Sequence, residues 1–171
     1  LSWIRAATVE RRLPDTLYVR LAERVPLALW QRGGRLALID REGVVIDRNR
    51  LGAWRHLPMV VGKDAPKHAE AMIEIMRAHP KLMDATHAMI RVSKRRWDLK
   101  FNNGVIARLP EKNAARAVLK LARLVTAERI LDRDIVMIDL RLADRLVVRT
   151  SPKAKSLKKK RHAHRGPSKD T

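Results

Sequence analysis

Residues 12–46 read RLPDTLYVRLAERVPLALWQRGGRLALIDREGVVI, and the fold is decided here. Leu17, Val19 and Leu21 fall on one side of an extended chain and Tyr18, Arg20 and Ala22 on the other, the two-residue period of a half-buried strand. Leu27 and Leu29 resume that period after a break. Pro14 and Pro26 stand at strand starts, where a missing N–H does least harm. Gly33-Gly34 supplies the positive φ values of a tight hairpin. Asp40-Arg41-Glu42-Gly43 has the Asp and Gly of a type I turn, which makes residues 36–39 and 44–46 antiparallel neighbours.

Downstream, residues 51–66 carry Gly52, Pro58, Gly62 and Pro66 and read as irregular. Ala69, Met72, Ile73 and Met76 then form one apolar stripe at helical spacing, with Pro66 near the start of the helix and Pro80 stopping it. The methionines are read as core packing. Residues 87–93, 95–101 and 105–109 form a second group of strands, with Asn103-Gly104 as a hairpin turn. A second amphipathic helix over about 112–128 buries Val118, Leu121, Ala122 and Val125 against the sheet and leaves Arg116, Lys120 and Arg123 elsewhere around it. Residues 135–142 and 146–149 supply two last strands about a turn at Ala143-Asp144. The fold class is therefore α+β: an antiparallel sheet with two amphipathic helices.

The 171 residues, 46% hydrophobic, suffice for a real core. Leu1 is no start methionine, and the sequence is taken as a fragment or processed product. No run free of Asp, Glu, Lys and Arg exceeds seven residues, whereas a spanning helix needs about 20 mostly apolar ones. With no cysteine, disulfides, thiolate metal sites and a cysteine nucleophile are excluded, and the redox compartment stays open. The net charge of +20 is uneven: residues 153–171 hold eight Lys or Arg against one Asp, and this tail is expected to be disordered. The body is still basic. Such a field attracts polyanions of any kind and names none of them.

The sequence carries no familiar catalytic motif. The seven glycines form neither a dinucleotide fingerprint nor a P-loop. No serine sits in a nucleophile elbow. His56, His68, His79 and His87 lack the i, i+4 spacing of a ligand pair, so no metal or cofactor site is expected. Asp139 is read as the partner of Arg141 in an i, i+2 ion pair rather than as a catalytic acid. Lys94, Arg95, Arg96 and Trp97 combine cations with a ring that suits base stacking, and a basic nucleic-acid-binding domain is the alternative function. Against it, six aromatics in the whole chain give no repeated stacking platform.

Taken together, RRLPDTLYVRLAERVPLALW (11–30), LIDREGVVI (38–46), LPMVVG (57–62), RRWDLKFNNGVIARLPE (95–111) and IDLRLADRLVVR (138–149) resemble the periplasmic part of the FtsQ/DivIB family, over about residues 3–150. The resemblance implies a single-pass bacterial inner-membrane protein with a POTRA domain and a C-terminal β domain. Residues 1–24 would be the last two strands of a truncated POTRA domain, less stable than the rest. Residues 25–152 would be the β domain and 153–171 a basic tail. It further implies a non-enzymatic divisome scaffold at the septum, binding FtsB and FtsL and acting indirectly on the septal synthase FtsW with FtsI. FtsB would add a strand at the C-terminal edge. On this chain that edge is 139–149: Asp139 and Arg141 match a D-x-R pattern, and Arg141 would meet an acidic residue of the incoming segment. Leu142 stands where relatives often carry an aromatic, Leu146 and Val148 would give apolar contacts, and Arg95 and Arg96 a charged rim.

Overall fold

The computed structural model describes residues 1–142 and 144–150. Ala143 of the expected turn, and the expected disordered tail 153–171, lie outside them.

The chain opens with a hairpin of β1 (Ile4–Arg12) and β2 (Thr16–Glu23), a separate two-stranded sheet. Its register pairs Ala7 with Leu21 and Val9 with Val19, so one face of the ribbon is an apolar stripe. That stripe is uncovered: Val9, Val19 and Leu21 are all more than half exposed. A ribbon of two strands with no apolar face buried has little to hold it beyond its ladder.

The other strands are β3 (Pro26–Arg32), β4 (Arg35–Asp40), β5 (Val45–Asp47), β6 (Met59–Val61), β7 (Thr86–Val92), β8 (Arg96–Phe101), β9 (Ile106–Arg108), β10 (Ile135–Asp139) and β11 (Val147–Thr150). Among the described residues they form one sheet in the order β11-β10-β9-β8-β7-β6-β3-β4-β5. The turns behave as their chemistry demands: Gly33 and Gly34 have φ of +56° and +75°, and Gly43 N–H closes its turn on Asp40 O at 3.1 Å. Gly43 has a second reason to be glycine, since a Cβ there would stand 2.6 Å from the Pro66 carbonyl oxygen.

The α+β class is as read, but the sheet is not wholly antiparallel: β3–β6, β6–β7 and β9–β10 are parallel. Each of the last two joins is bridged by helices. α1 (Pro66–Arg77) and the short α2 (Pro80–Ala85) cross from β6 to β7, and α3 (Ala114–Thr126) crosses from β9 to β10. A parallel pair cannot be closed by a tight turn and needs such a crossover. Pro80 ends α1 as expected but also opens α2, at the first helical turn where its missing N–H costs nothing.

Registered pairs place Trp30, Val60, Met89, Leu99, Ala107 and Ile138 in one row across six strands. The last five are buried, and with Met72, Ile73 and Met76 of α1 and Val118 and Leu121 of α3 they belong to the main core. On the opposite face a smaller cluster of Leu29, Leu38 and Ile46 is covered by Leu51, Trp54, Leu57 and, from the hairpin, Trp3.

Two groups of contacts, one aromatic and one ionic, hold the hairpin to the rest of the domain. Trp3 meets Trp54 at 6.1 Å between ring centroids. At the other strand's end Arg24 bridges Asp40, which is 4% exposed, and Glu42, which Arg5 also reaches.

Candidate partner-binding edge

Strands β10 and β11 end the sheet, and among the described residues nothing pairs with the outer side of β11. Every second backbone N–H and C=O along that side is therefore free to accept another strand. The strand carries three exposed residues, Val147, Val148 and Arg149, followed by Thr150.

The structure brings Asp139 and Arg141 together as the i, i+2 spacing implies. Arg141 Nε and Nη2 donate to the two Asp139 oxygens at 2.9, 3.0 and 2.7 Å, and the Arg141 backbone N–H donates to Oδ1 at 3.0 Å. That backbone bond explains a difference from the expected strand 135–142. A carboxylate that captures the N–H two residues on competes with the ladder, so β10 stops at Asp139 and Leu142 lies in the bend after it. These same bonds with Arg141, side-chain first, hold the Asp139 carboxyl below the usual carboxylate range and raise the Arg141 guanidinium, although partial burial works against both.

The sign follows: a carboxylate depressed on folding adds stability that is complete above the unfolded value near 3.9 and is lost as pH falls through the folded one. The Asp139 carboxyl carbon, followed by NMR, is expected to titrate with a midpoint below about 3.9 and to move toward it in Arg141→Gln. An unchanged midpoint in that variant would mean the ion pair does not form in solution.

Register shows what flanks this pair. Asp98, Arg108 and Asp139 are in line across β8, β9 and β10, and Val147 of β11 continues the line. The row lies on the face away from the helices, one residue out of phase with the buried row of Leu99, Ala107 and Ile138. Arg96 joins it through Asp98 at 3.2 Å, and Asp98 is 8% exposed. Arg108 lies close enough to lower Asp139, and Asp98 close enough to raise Arg141. Five charged groups of alternating sign thus stand beside the open edge, ion-paired at Arg96–Asp98 and Asp139–Arg141.

Arg95 stands apart from these groups, exposed in the turn between β7 and β8. Ser93 and Lys94 there both have positive φ, +50° and +57°, which side-chain-bearing residues seldom adopt. The turn is braced by Arg91, whose guanidinium donates to the carbonyls of Lys94 and Arg95 at 2.9 and 3.1 Å and stacks on Trp97 at 5.3 Å. Trp97 itself is 5% exposed and packs in the main core, so it offers no face to a base.

Leu146 and Val148 are not on the charged row. Val148 pairs with Ile138 and shares its helix-side face, and half-buried Leu146 packs against the main core just before β11. Leu142 is 54% exposed. Sequence reasoning missed Val147, Asp98 and Arg108. Only the i, i+2 spacing of Arg96 and Asp98 was visible locally, because Arg108 and Val147 reach the row through strand pairing. Among the described residues no three His, Asp or Glu converge as a metal set, and no helix is long and apolar enough to cross a membrane.

The family described as cell division protein FtsQ/DivIB, C-terminal, matches residues 28–141. The chain is 42% identical over 154 residues to cell division protein FtsQ of Rhizobium meliloti, covering 90% of this chain and 50% of that one. It is 40% identical over 152 residues to the FtsQ of Bradyrhizobium diazoefficiens, covering 89% and 44%, and 37% identical over 148 residues to that of Rhizobium radiobacter, covering 86% and 70%. The chain thus spans about half the length of the Rhizobium meliloti relative.

Proposed function

The chain belongs to the FtsQ/DivIB cell-division family, and on that premise we propose that it is the periplasmic part of a non-catalytic division scaffold that captures a partner strand along β11. The observation that carries this reading is the open outer side of β11 beside the Asp139–Arg141 pair. Backbone bonds along that side supply affinity, and side chains on the two faces supply selectivity. The partner is FtsB together with FtsL, acting indirectly on FtsW and FtsI, in a protein held at the septal inner membrane by a single upstream helix.

The side chains divide the work. Arg141 is already engaged by Asp139 yet remains 46% exposed, so a partner carboxylate meets a guanidinium fixed in place rather than one that must be ordered. Arg96, Asp98 and Arg108 extend the same face, and Val147 is its apolar contact at the edge. Val148 and Leu142 contribute exposed apolar surface, whereas Leu146 serves the β domain's own core as much as the partner. Arg95 and Lys94 form a basic rim at the same end of the sheet.

The domain division belongs to this reading: residues 1–24 as the end of a POTRA domain, 25–152 as the β domain, 153–171 as a basic tail. The uncovered stripe of Ala7, Val9, Val19 and Leu21 supports it, because such a face is built to be packed against something.

The test is amide hydrogen exchange on the full chain with and without the periplasmic segment of FtsB. Added strand bonds are expected to slow exchange at alternate amides of residues 147–150 by at least about tenfold. Binding without protection there, or with protection centred on β5, would end the β11 reading.

A further inference from the structure

A surface that the strand-addition reading does not use lies on α3. Its exposed residues include Ala115, Arg116, Leu119, Lys120 and Arg123, and the helix Ala114–Thr126 carries no acidic residue. At 3.6 residues per turn Arg116, Leu119, Lys120 and Arg123 fall within about 100° of arc. The opposite side of the helix is the buried stripe of Val118, Leu121 and Leu124. Lys112, also exposed, stands just ahead of the first turn.

Two features characterise this stripe. Elsewhere about half of the described arginines, Arg5, Arg12, Arg24, Arg41, Arg77, Arg91, Arg96, Arg129, Arg141 and Arg145, reach a carboxylate. Among the described residues neither Arg116, Lys120 nor Arg123 does. Second, Leu119, with 42% of its surface exposed, stands in the middle of the cations.

We propose that this outer face of α3 docks on an anionic phospholipid surface. The charge complement is a dense, flat array of phosphates, which meets all the cations of a convex stripe at once. Lys and Arg suit such a boundary because their alkyl stems stay with apolar material while the charged ends reach the headgroups. Leu119 then enters between them. A protein partner fits less well: protein interfaces are depleted in Lys and anchor on aromatics in pockets, and this stripe has no aromatic and is no groove. Two clefts among the described residues, one by Arg24 and Asp40 and one by Trp30 and Arg48, are lined by other residues. The proposal is independent of β11.

The basic tail would itself draw the chain to anionic vesicles, so the test must read the helix face and not total binding. The chain contains no cysteine, and Ala115→Cys therefore gives a unique site for a polarity-sensitive fluorophore beside the stripe. With phosphatidylglycerol-containing vesicles the emission is expected to shift to the blue, and with pure phosphatidylcholine to stay unchanged. The same dye at Glu74→Cys on exposed α1 should not shift. Adding Arg116→Glu, Lys120→Glu and Arg123→Glu should abolish the shift at 115 and weaken partitioning by roughly a hundredfold, at about fivefold per cation. The milder Arg116→Gln with Lys120→Gln should reduce both in proportion, which separates lost docking from lost folding. No shift at 115, or equal shifts at 115 and 74, would overturn the proposal. So would a shift with soluble polyglutamate but not with phosphatidylglycerol, which would point to an acidic protein instead.

Discussion

Of the two single variants Val147→Pro and Val148→Pro, one is expected to lose partner binding by about a hundredfold while keeping the fold, and the other to loosen β11 itself. Neighbouring residues of a strand send their N–H groups to opposite sides. One of these two amides therefore faces the β10 ladder, where Asp139 pairs with Val147 and Ile138 with Val148, and the other faces the open edge. Proline at the outward position removes a donor and puts a ring in the path of the incoming backbone, together worth about 3 kcal/mol. At the inward position it breaks a bond within the sheet. Titration with the FtsB segment, alongside thermal melts of each variant, separates the two. Full binding by both variants would mean that recognition rests on side chains and not on backbone pairing.

The second large effect concerns the core under that edge. Leu99, fully buried, sits mid-row between Met89 and Ala107, two strands from β10. Leu99→Ala is expected to cost about 3–4 kcal/mol, since helices on one side and strands on both others leave the cavity little freedom to collapse. In a chain of this size that lowers Tm by roughly 10 °C. Strands β1 and β2 bury none of their large apolar side chains, so the opening of their ladder should be unchanged. Calorimetry and site-resolved hydrogen exchange test both parts. Equal loss of protection in β1–β2 and in the nine-stranded sheet would show that the two unfold as one unit.

What was legible in the sequence was local. Gly33-Gly34, residues 40–43 and Asn103-Gly104 each form the expected turn, because those residues carry the needed backbone freedom themselves. α1 and α3 were legible from one apolar face at helical spacing. β6 was not: its three residues lie between Pro58 and Gly62, which read as breakers, and they are a strand only because β3 and β7 flank them. α2, six residues long, is too short to show a period. At the candidate edge the Asp139–Arg141 pair was within reach because both members lie two residues apart. The row of Asp98, Arg108, Asp139 and Val147 was not, since it exists only once β8 to β11 are in register. The same register puts Val147 on the charged face and Val148 on the helix side.

The hairpin's two attachments have a mechanical consequence. A ribbon joined to a body by one peptide link, here Arg24 to Val25, can swivel about it. This one is pinned twice, at Trp3 on β1's approach and at Arg24 after β2, where the latter's charge is locked to a buried Asp40. The two pins lie side by side at the ribbon's base, where the Arg24 N–H donates to the Trp3 carbonyl at 2.8 Å, so they clamp the root of the ribbon, and a pull on its free end is passed through that root toward β3, β4 and β5, the far side of the sheet from β11.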